Sequence, residues 1–247
     1  MSGQPATLQD FPYEAALQAI KDSLKFTDFP ALQQHLLDNL PQNSPVTRQR
    51  YANLIIRWFF PDHQLGGLLP RVWQAYGDER ILRDLTRVTI LEIEPVIARF
   101  VTDVILLLPS GAVLPANTAR DYIVSTYGGY KKNSHSRLLL AARYLGFLDK
   151  ANRDWIVAAD ERPATALLLW LHAKMAPTPR IVRLSDLLAM TFWRFLGFRE
   201  ADHVRSVLRD AEAAGLIARY SVVDQLEQLT TRHTLDAFLR SAYRLPG

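Results

Sequence analysis

The residues best suited to binding a charged ligand lie between a Gly-Gly turn and the body of a predicted helix. Lys and Arg neutralise phosphates, while Asn, Ser and His at a helix N-terminus hydrogen-bond to base edges or to the DNA backbone. Exposed N–H groups at the start of a helix also favour a phosphate. We therefore expect a nucleic-acid contact formed by Lys131, Lys132, Asn133, Ser134, His135, Arg137 and Arg143. The alternative interpretation is a solvated turn followed by a helix capped by Ser134.

A second candidate surface lies on a predicted helix over residues 200–214. It is interrupted by acidic residues at 200, 202, 210 and 212. These carboxylates could simply pair with the arginines at i,i+4 spacing, which makes a solvated or protein-binding face the competing interpretation. The residues predicted to contact DNA here are Arg199, Arg205 and Arg209.

A third set of cations lies on the predicted helix that begins at Pro45, with Ser44 as its N-cap. Arg48 and Arg50 could extend a phosphate-contacting surface, and they lie next to the aromatic Tyr51. A solvated helix face is the more frequent explanation for such a pair.

The sequence offers little for catalysis or metal binding. Its six histidines are scattered, and none forms HExxH or another compact metal pair with a carboxylate in register. The Gly-rich phosphate loops and the GxSxG motif are absent, and the lack of cysteine excludes thiol chemistry. We therefore predict no catalytic residues, no metal and no cofactor, and a protein that is not an enzyme.

Composition is typical of a globular protein, with 49% apolar and 22% charged residues over 247 positions. The net charge of +4 is uneven, because residues 1–43 carry −3 whereas residues 111–160 and 161–247 carry +3 each. This modest positive field favours phosphate, although many proteins of similar charge bind no nucleic acid. No apolar run approaches the roughly 18 residues of a membrane span. We therefore expect a cytoplasmic protein without membrane contact.

The first 110 residues have the apolar periodicity of about six short helices. Helices are predicted over residues 13–26, 29–40, 45–60, 64–76, 78–93 and 95–108, several of them bounded by proline. Nothing in this half alternates as a strand would. Residues 1–110 are therefore predicted to form a helical bundle domain.

The second half contains an internal repeat of pattern. Residues 136–159 and 204–231 each form a basic-faced helix that ends at Gly146 or Gly215. An apolar pair, β-prone residues and a polar turn follow in both segments, which is the order of a winged helix. The predicted fold class is therefore mainly α, with an N-terminal helical bundle and two winged-helix-like units with short β-hairpins, over residues 111–160 and 161–247.

The chain resembles the BrxA-type accessory proteins of bacteriophage-exclusion (BREX) defence systems. The resemblance rests on the helix opening at residues 44–52, on Leu82, Arg83 and Asp84 in the next Leu-rich helix, and on the Leu-rich segment 136–148. It implies a small, non-enzymatic, DNA-binding protein of phage resistance whose partners include a DNA methyltransferase. It carries over no individual DNA contact.

These observations lead to one expected function and two alternatives. The first is binding of double-stranded DNA by the basic turn and helix over residues 131–143. The second is a scaffold or adaptor whose winged-helix-like units bind partner proteins, as the mixed charge over residues 199–212 and the acidic first helices suggest. The third is RNA binding by the N-terminal helices.

Overall fold

The computed structural model describes residues 11–129, 133–159, 162–224 and 226–245. The chain is mainly helical, as predicted, and its described part contains two small antiparallel sheets of three strands each. None of the described helices is long and apolar enough to cross a membrane. The predicted contacts Lys131 and Lys132 lie outside the described residues.

The helices of the described residues are α1 (Tyr13–Ser23), α2 (Phe29–Asn39), α3 (Pro45–Phe59), α4 (Leu68–Tyr76), α5 (Glu79–Ile93), α6 (Pro95–Asp103), α7 (Thr118–Tyr127), α8 (Ser134–Tyr144), α9 (Ala164–Lys174), α10 (Leu184–Ala189), α11 (Phe192–Phe195), α12 (Ala201–Ala213) and α13 (Leu235–Arg240). The strands are β1 (Val113–Leu114), β2 (Leu148–Ala151), β3 (Asp154–Val157), β4 (Ile181–Arg183), β5 (Ile217–Val223) and β6 (Leu226–Thr231). Two short 3-10 helices cover Pro61–His63 and Ile105–Leu107.

The chain divides into two compact units, and the division into residues 1–110, 111–160 and 161–247 stays a prediction. Unit 1 contains Met1–Tyr13 and Ile90–Glu161, and unit 2 contains Glu14–Thr89 and Arg162–Gly247. Unit 2 joins segments that are far apart in sequence, because α13 and the tail after it pack against α4. The hydroxyl of Tyr76 donates to the carbonyl of Tyr243 at 2.8 Å across this contact.

Most helices begin and end near their predicted residues, because prolines and glycines mark the boundaries. Pro45 opens α3 as predicted, although the side chain of Ser44 makes no capping hydrogen bond. Residues 184–195 are divided between α10 and α11 and do not form one continuous helix. The indole N–H of Trp193 donates to the carbonyl of Leu188 at 3.0 Å, and this bond occupies a carbonyl in the last turn of α10.

In unit 1 the elements follow the order α6, β1, α7, α8, β2 and β3, and the strands lie in the order β1-β3-β2. The hairpin pairs Leu148 with Val157 and Ala151 with Asp154. The strands therefore end at Ala151 and begin again at Asp154, and the turn of the hairpin is limited to residues 152 and 153. Asn152 at the tip has a φ of 53°, which Asn tolerates better than most residues.

In unit 2 the second sheet has the strand order β4-β6-β5, and α9, β4, α10, α11 and α12 precede its hairpin. Strand β5 pairs with β6 along its length, and the pairing contains an irregularity between Ile217 and Arg219. Strand β4 pairs with β6 from Ile181 to Arg183. The sheet therefore has β4 and β5 as its edges.

The interior of unit 2 contains an ion pair that the sequence analysis did not predict. Arg87 is 5% exposed, and its guanidinium donates to Asp84 and to the carbonyl of Leu196, both at 2.9 Å. One arginine of α5 thereby ties the turn after α11 to the N-terminal helices. Burying two charges is favourable only when they are paired and hydrogen-bonded in this way.

Candidate nucleic-acid interface

Helix α8 presents one polar face to solvent and one apolar face to unit 1. Leu138, Leu139 and Ala142 are buried, and the helix packs against α6 and α7. The opposite face carries Ser136 and Arg143, both exposed, at a spacing of two helical turns. A side-chain hydroxyl and a guanidinium are thus offered to solvent from one helix surface.

The start of α8 differs from the prediction in its cap. Asn133 is the N-cap residue, it is exposed, and it adopts a φ of 70°. Ser134, the predicted cap and contact, is only 2% exposed, so its side chain packs inside unit 1 instead of facing a ligand. His135 and Arg137 are half-buried, and the hydroxyl of Ser136 lies 3.3 Å from Nε2 of His135.

The β2–β3 hairpin adds two cations that the sequence analysis did not single out. Lys150 and Arg153 are both exposed, and Lys150 donates to the carbonyl of Arg153 at 2.7 Å. The ammonium of Lys150 also lies 4.3 Å from the centre of the Trp155 ring. These contacts hold the Lys150 side chain against the hairpin. Asp149 and Asp154 are exposed on the same hairpin, so it is polar but not strongly cationic.

The C-terminal end of α8 is flanked by a group of aromatic rings. Tyr144 stacks on Phe11 and Tyr13 with ring centres 6.2 and 6.1 Å apart. Stacking of this kind adds to the hydrophobic contact and fixes the segment before α1 against α8. These rings therefore lie beside the last turn of α8, the turn that also carries the exposed Arg143.

The corresponding helix of unit 2, α12, has its central cation neutralised. The guanidinium of Arg205 lies 2.9 Å from Glu227 of β6 and 2.9 Å from Asp202 of its own helix. Hydrogen bonding to Glu227 raises the pKa of Arg205 above its ordinary value. The predicted contact Arg199 is half-buried, and Arg209 is exposed. Of the three predicted contacts in this region, Arg209 faces solvent most fully.

The hairpin of unit 2 exposes apolar side chains on both strands next to its turn. Val222 and Val223 are 60% and 56% exposed, and Leu226 on the returning strand is 46% exposed. The hairpins of the two units thus share their place in the element order but differ in surface chemistry. The turn in unit 1 is polar, whereas the turn in unit 2 contains the exposed Asp224 and is flanked by exposed apolar side chains on both strands.

The two cations predicted on α3 also differ from each other. Arg48 donates to the carbonyl of Leu37 at 3.0 Å and is half-buried, so it links α3 to α2. Arg50 is exposed, with its guanidinium 5.6 Å from the ring of Tyr51. Both belong to unit 2, whereas α8 belongs to unit 1.

Comparison with known proteins gives no relative for this chain. No protein-family model, no curated protein and no solved structure matches it. In the described ranges, no group of three or more His, Cys, Asp or Glu side chains is arranged to hold a metal ion.

Proposed function

We propose that this chain is a non-catalytic DNA-binding protein and that unit 1 is a winged helix. The observation that supports this most strongly is the element order of unit 1, a helix, a strand, two helices and a hairpin, with the strand order β1-β3-β2. In such a unit the second helix of the pair, here α8, enters the major groove, and the hairpin contacts the adjacent backbone.

The exposed side chains of α8 and its hairpin fit that assignment chemically. Asn133 and Ser136 supply hydrogen-bonding groups for base edges or phosphates, while Arg143, Lys150 and Arg153 supply positive charge. The half-buried Arg137 lies on the same helix. The mixture of a few cations with short polar groups favours binding dominated by the phosphate backbone and of low sequence specificity.

A titration of labelled duplex DNA with the full chain, followed by fluorescence anisotropy at several salt concentrations, tests the proposal. Binding through phosphates requires the affinity to fall steeply as salt rises, because condensed counterions are released on binding. Absence of binding at low ionic strength, or binding that does not respond to salt, contradicts the proposal. Competition with duplex RNA separates DNA binding from RNA binding.

Unit 2 favours a different role, the docking of a partner protein. Arg205 is engaged by Glu227 and Asp202, and the hairpin tip exposes Val222 and Val223. Neutralised charge and exposed apolar side chains are more typical of a protein interface than of a phosphate-binding surface. Capture of a partner from nuclease-treated lysate, lost on Val222→Asp, supports this role. Capture that requires intact nucleic acid contradicts it.

Membership of a bacteriophage-exclusion defence system, next to a DNA methyltransferase, completes the proposal. It rests on the sequence resemblance at residues 44–52, 82–84 and 136–148. Co-purification of the tagged chain with a methyltransferase, or loss of phage resistance on its deletion, tests it. Full phage resistance without the chain contradicts it.

A further inference from the structure

A cavity of about 200 Å³ lies in unit 2 where the starts of α5 and α9 meet the segment after α13. Three arginines line it, Arg80 from α5, Arg162 from the residue pair before α9, and Arg244 from the C-terminal segment. These residues are far apart in sequence and are brought together only by the fold of unit 2. None of them belongs to α8 or its hairpin.

The carboxylates that line the same cavity are already partnered. The carboxylate of Asp78 accepts a hydrogen bond from the guanidinium of Arg244 at 2.9 Å. It also caps the first turn of α5 by accepting from the backbone N–H of Arg80 at 2.9 Å. Asp84 is 7% exposed and pairs with the buried Arg87. Asp78 is therefore bonded to Arg244 and Asp84 to Arg87, and neither of these bonds involves Arg162.

Arg162 differs from the other two arginines that line the cavity in the contacts of its side chain. Its side chain is exposed, and it forms no ion pair with any residue in the described ranges. An exposed arginine at the rim of a cavity can bind an anion that enters the cavity. The guanidinium group binds the oxygens of a phosphate in a fork of two parallel hydrogen bonds.

The start of α9 adds to this positive environment. Its N-cap residue is Pro163, which supplies no side-chain acceptor, and its first turn contains no acidic residue. Thr165 is the polar residue of that turn. Its hydroxyl accepts a hydrogen bond from the backbone N–H of Leu245 at 3.1 Å. The positive end of an 11-residue helix therefore borders the cavity without a carboxylate to offset it.

We propose that this cavity binds a phosphate group, held by Arg80 and Arg162 and bordered by the first turn of α9. Its volume of about 200 Å³ suits one phosphate or the phosphate end of a small phosphomonoester. Two sources share this chemistry, a free phosphomonoester such as a mononucleotide and a phosphate of the DNA backbone. The site is independent of the DNA contact proposed for unit 1.

Calorimetric titration of the full chain with inorganic phosphate, at constant ionic strength against chloride, tests the site. Saturable binding is expected, together with a rise in the melting temperature with phosphate concentration, because a ligand that binds only the folded chain stabilises it. Arg162→Gln is expected to weaken phosphate binding about tenfold, the effect of one lost charge-assisted hydrogen bond. Arg80→Gln is expected to act in the same direction.

The matched control is Arg219→Gln, which removes an exposed arginine of β5 that does not line the cavity. Its phosphate affinity is expected to equal that of the unmodified chain. Equal weakening by Arg219→Gln and Arg162→Gln, or no saturable phosphate binding to a folded chain, overturns the proposal. Circular dichroism establishes that each variant is folded.

Two further titrations identify the source of the phosphate. If adenosine monophosphate binds more tightly than phosphate and duplex DNA does not displace it, the ligand is a free phosphomonoester. If duplex DNA displaces phosphate and Arg162→Gln weakens DNA binding, the cavity receives a backbone phosphate. Either result supports a phosphate site. If neither adenosine monophosphate nor duplex DNA displaces phosphate, and chloride abolishes phosphate binding, the proposed phosphate site is wrong.

Discussion

At the scale of single residues, the arginines of this chain differ in what their side chains contact. Arg143 projects from α8 into solvent, whereas Arg205 of α12 is held by two carboxylates and Arg87 of α5 is buried against one. An arginine already engaged with carboxylates must exchange those partners before it binds a phosphate. Surface exposure and local pairing therefore decide which cations are available for DNA.

Arg143→Ala is expected to weaken duplex DNA binding several-fold and to reduce the salt dependence of the affinity by about one counterion, because it removes one phosphate contact. The matched control is Arg209→Ala, the exposed arginine of α12. Anisotropy titrations at several salt concentrations measure both. A larger loss with Arg209→Ala than with Arg143→Ala would place the DNA contact on unit 2.

Arg87→Met is expected to lower the free energy of unfolding by about 3–5 kcal/mol, because it removes the buried cation that donates to the carboxylate of Asp84. The matched control is Arg83→Met, one turn earlier on α5. Arg83 is about a third exposed and pairs with Glu14 and Glu79 at the surface, so its loss is expected to cost less than about 1 kcal/mol. Urea unfolding compares the two, and equal costs contradict the expectation.

His172 makes the stability of unit 2 depend on pH. Burial lowers the pKa of this fully buried imidazole, although its hydrogen bond to the carbonyl of Leu168 at 2.7 Å acts in the opposite direction. The unfolded chain takes up a proton near pH 6.5, whereas the folded chain does so only at lower pH. The contribution of neutral His172 to the free energy of unfolding is therefore full above pH 6.5. It is lost as the pH falls from 6.5 toward the lowered pKa of His172.

The expected slope in that window is about 1.4 kcal/mol per pH unit for one histidine. His172→Phe is expected to remove this slope, and the control His203→Gln, which changes a half-buried histidine of α12, is expected to keep it. Urea unfolding between pH 7 and pH 5 measures the slope. A slope that persists in His172→Phe assigns it to another group.

At the scale of elements, the two hairpins differ in length and in the chemistry of their tips. The β2–β3 hairpin is short, and its two-residue turn consists of Asn152 and Arg153. The β5–β6 hairpin is longer and exposes Val222 and Val223 near its tip. Polar and cationic side chains suit a phosphate backbone, whereas exposed valines beside a carboxylate suit a protein surface, so we expect the two hairpins to have different partners.

The turn of the shorter hairpin depends on Asn152, whose φ is 53°. Asn152→Gly is expected to be tolerated, whereas Asn152→Val is expected to cost about 1–2 kcal/mol, because a β-branched residue is disfavoured at positive φ. Asn152→Val is also expected to weaken DNA binding, because a distorted turn displaces the neighbouring Arg153. Thermal unfolding and anisotropy measure the two effects. Equal stability of both variants would show that the turn tolerates a β-branched residue.

At the scale of the whole molecule, the compact units are assembled from segments that are distant in the chain. Residues 14–89 and 162–247 form unit 2, in which α13 packs against α4 and α9. Arg71 of α4 bonds to Asp236 of α13, and Arg244 bonds to Asp78. Unit 2 should therefore unfold as one body that includes the N-terminal helices.

Phe238→Ala tests this organisation, because Phe238 is fully buried in α13 and contacts His172 of α9. It is expected to lower the stability of unit 2 by about 3–5 kcal/mol, as for other buried aromatic residues. Hydrogen exchange is expected to show the loss in α4 as well as in α9 and α13. Unchanged protection of α4 amides would favour the linear division, in which residues 1–110 form a separate domain.

Much of the fold was predictable from local patterns. Pro45 and Pro95 begin helices as expected, and Gly215 follows α12 before strand β5. Local hydrogen bonding and fixed backbone angles produce these boundaries, so they depend on neighbouring residues alone. Lys150 and Arg153 of the hairpin were less evident, because only the β2–β3 pairing shows which polar residues form its turn.

By itself, the sequence determined the helices, the hairpins and the concentration of basic residues in the second half of the chain. Only the tertiary structure decided which ion pairs form between distant segments of the chain. Arg205 and Glu227 are 22 residues apart and meet because α12 packs against its hairpin, while Arg80, Arg162 and Arg244 meet at one cavity. Helix periodicity predicts contacts three or four residues apart, but contacts between distant segments depend on how the buried faces pack.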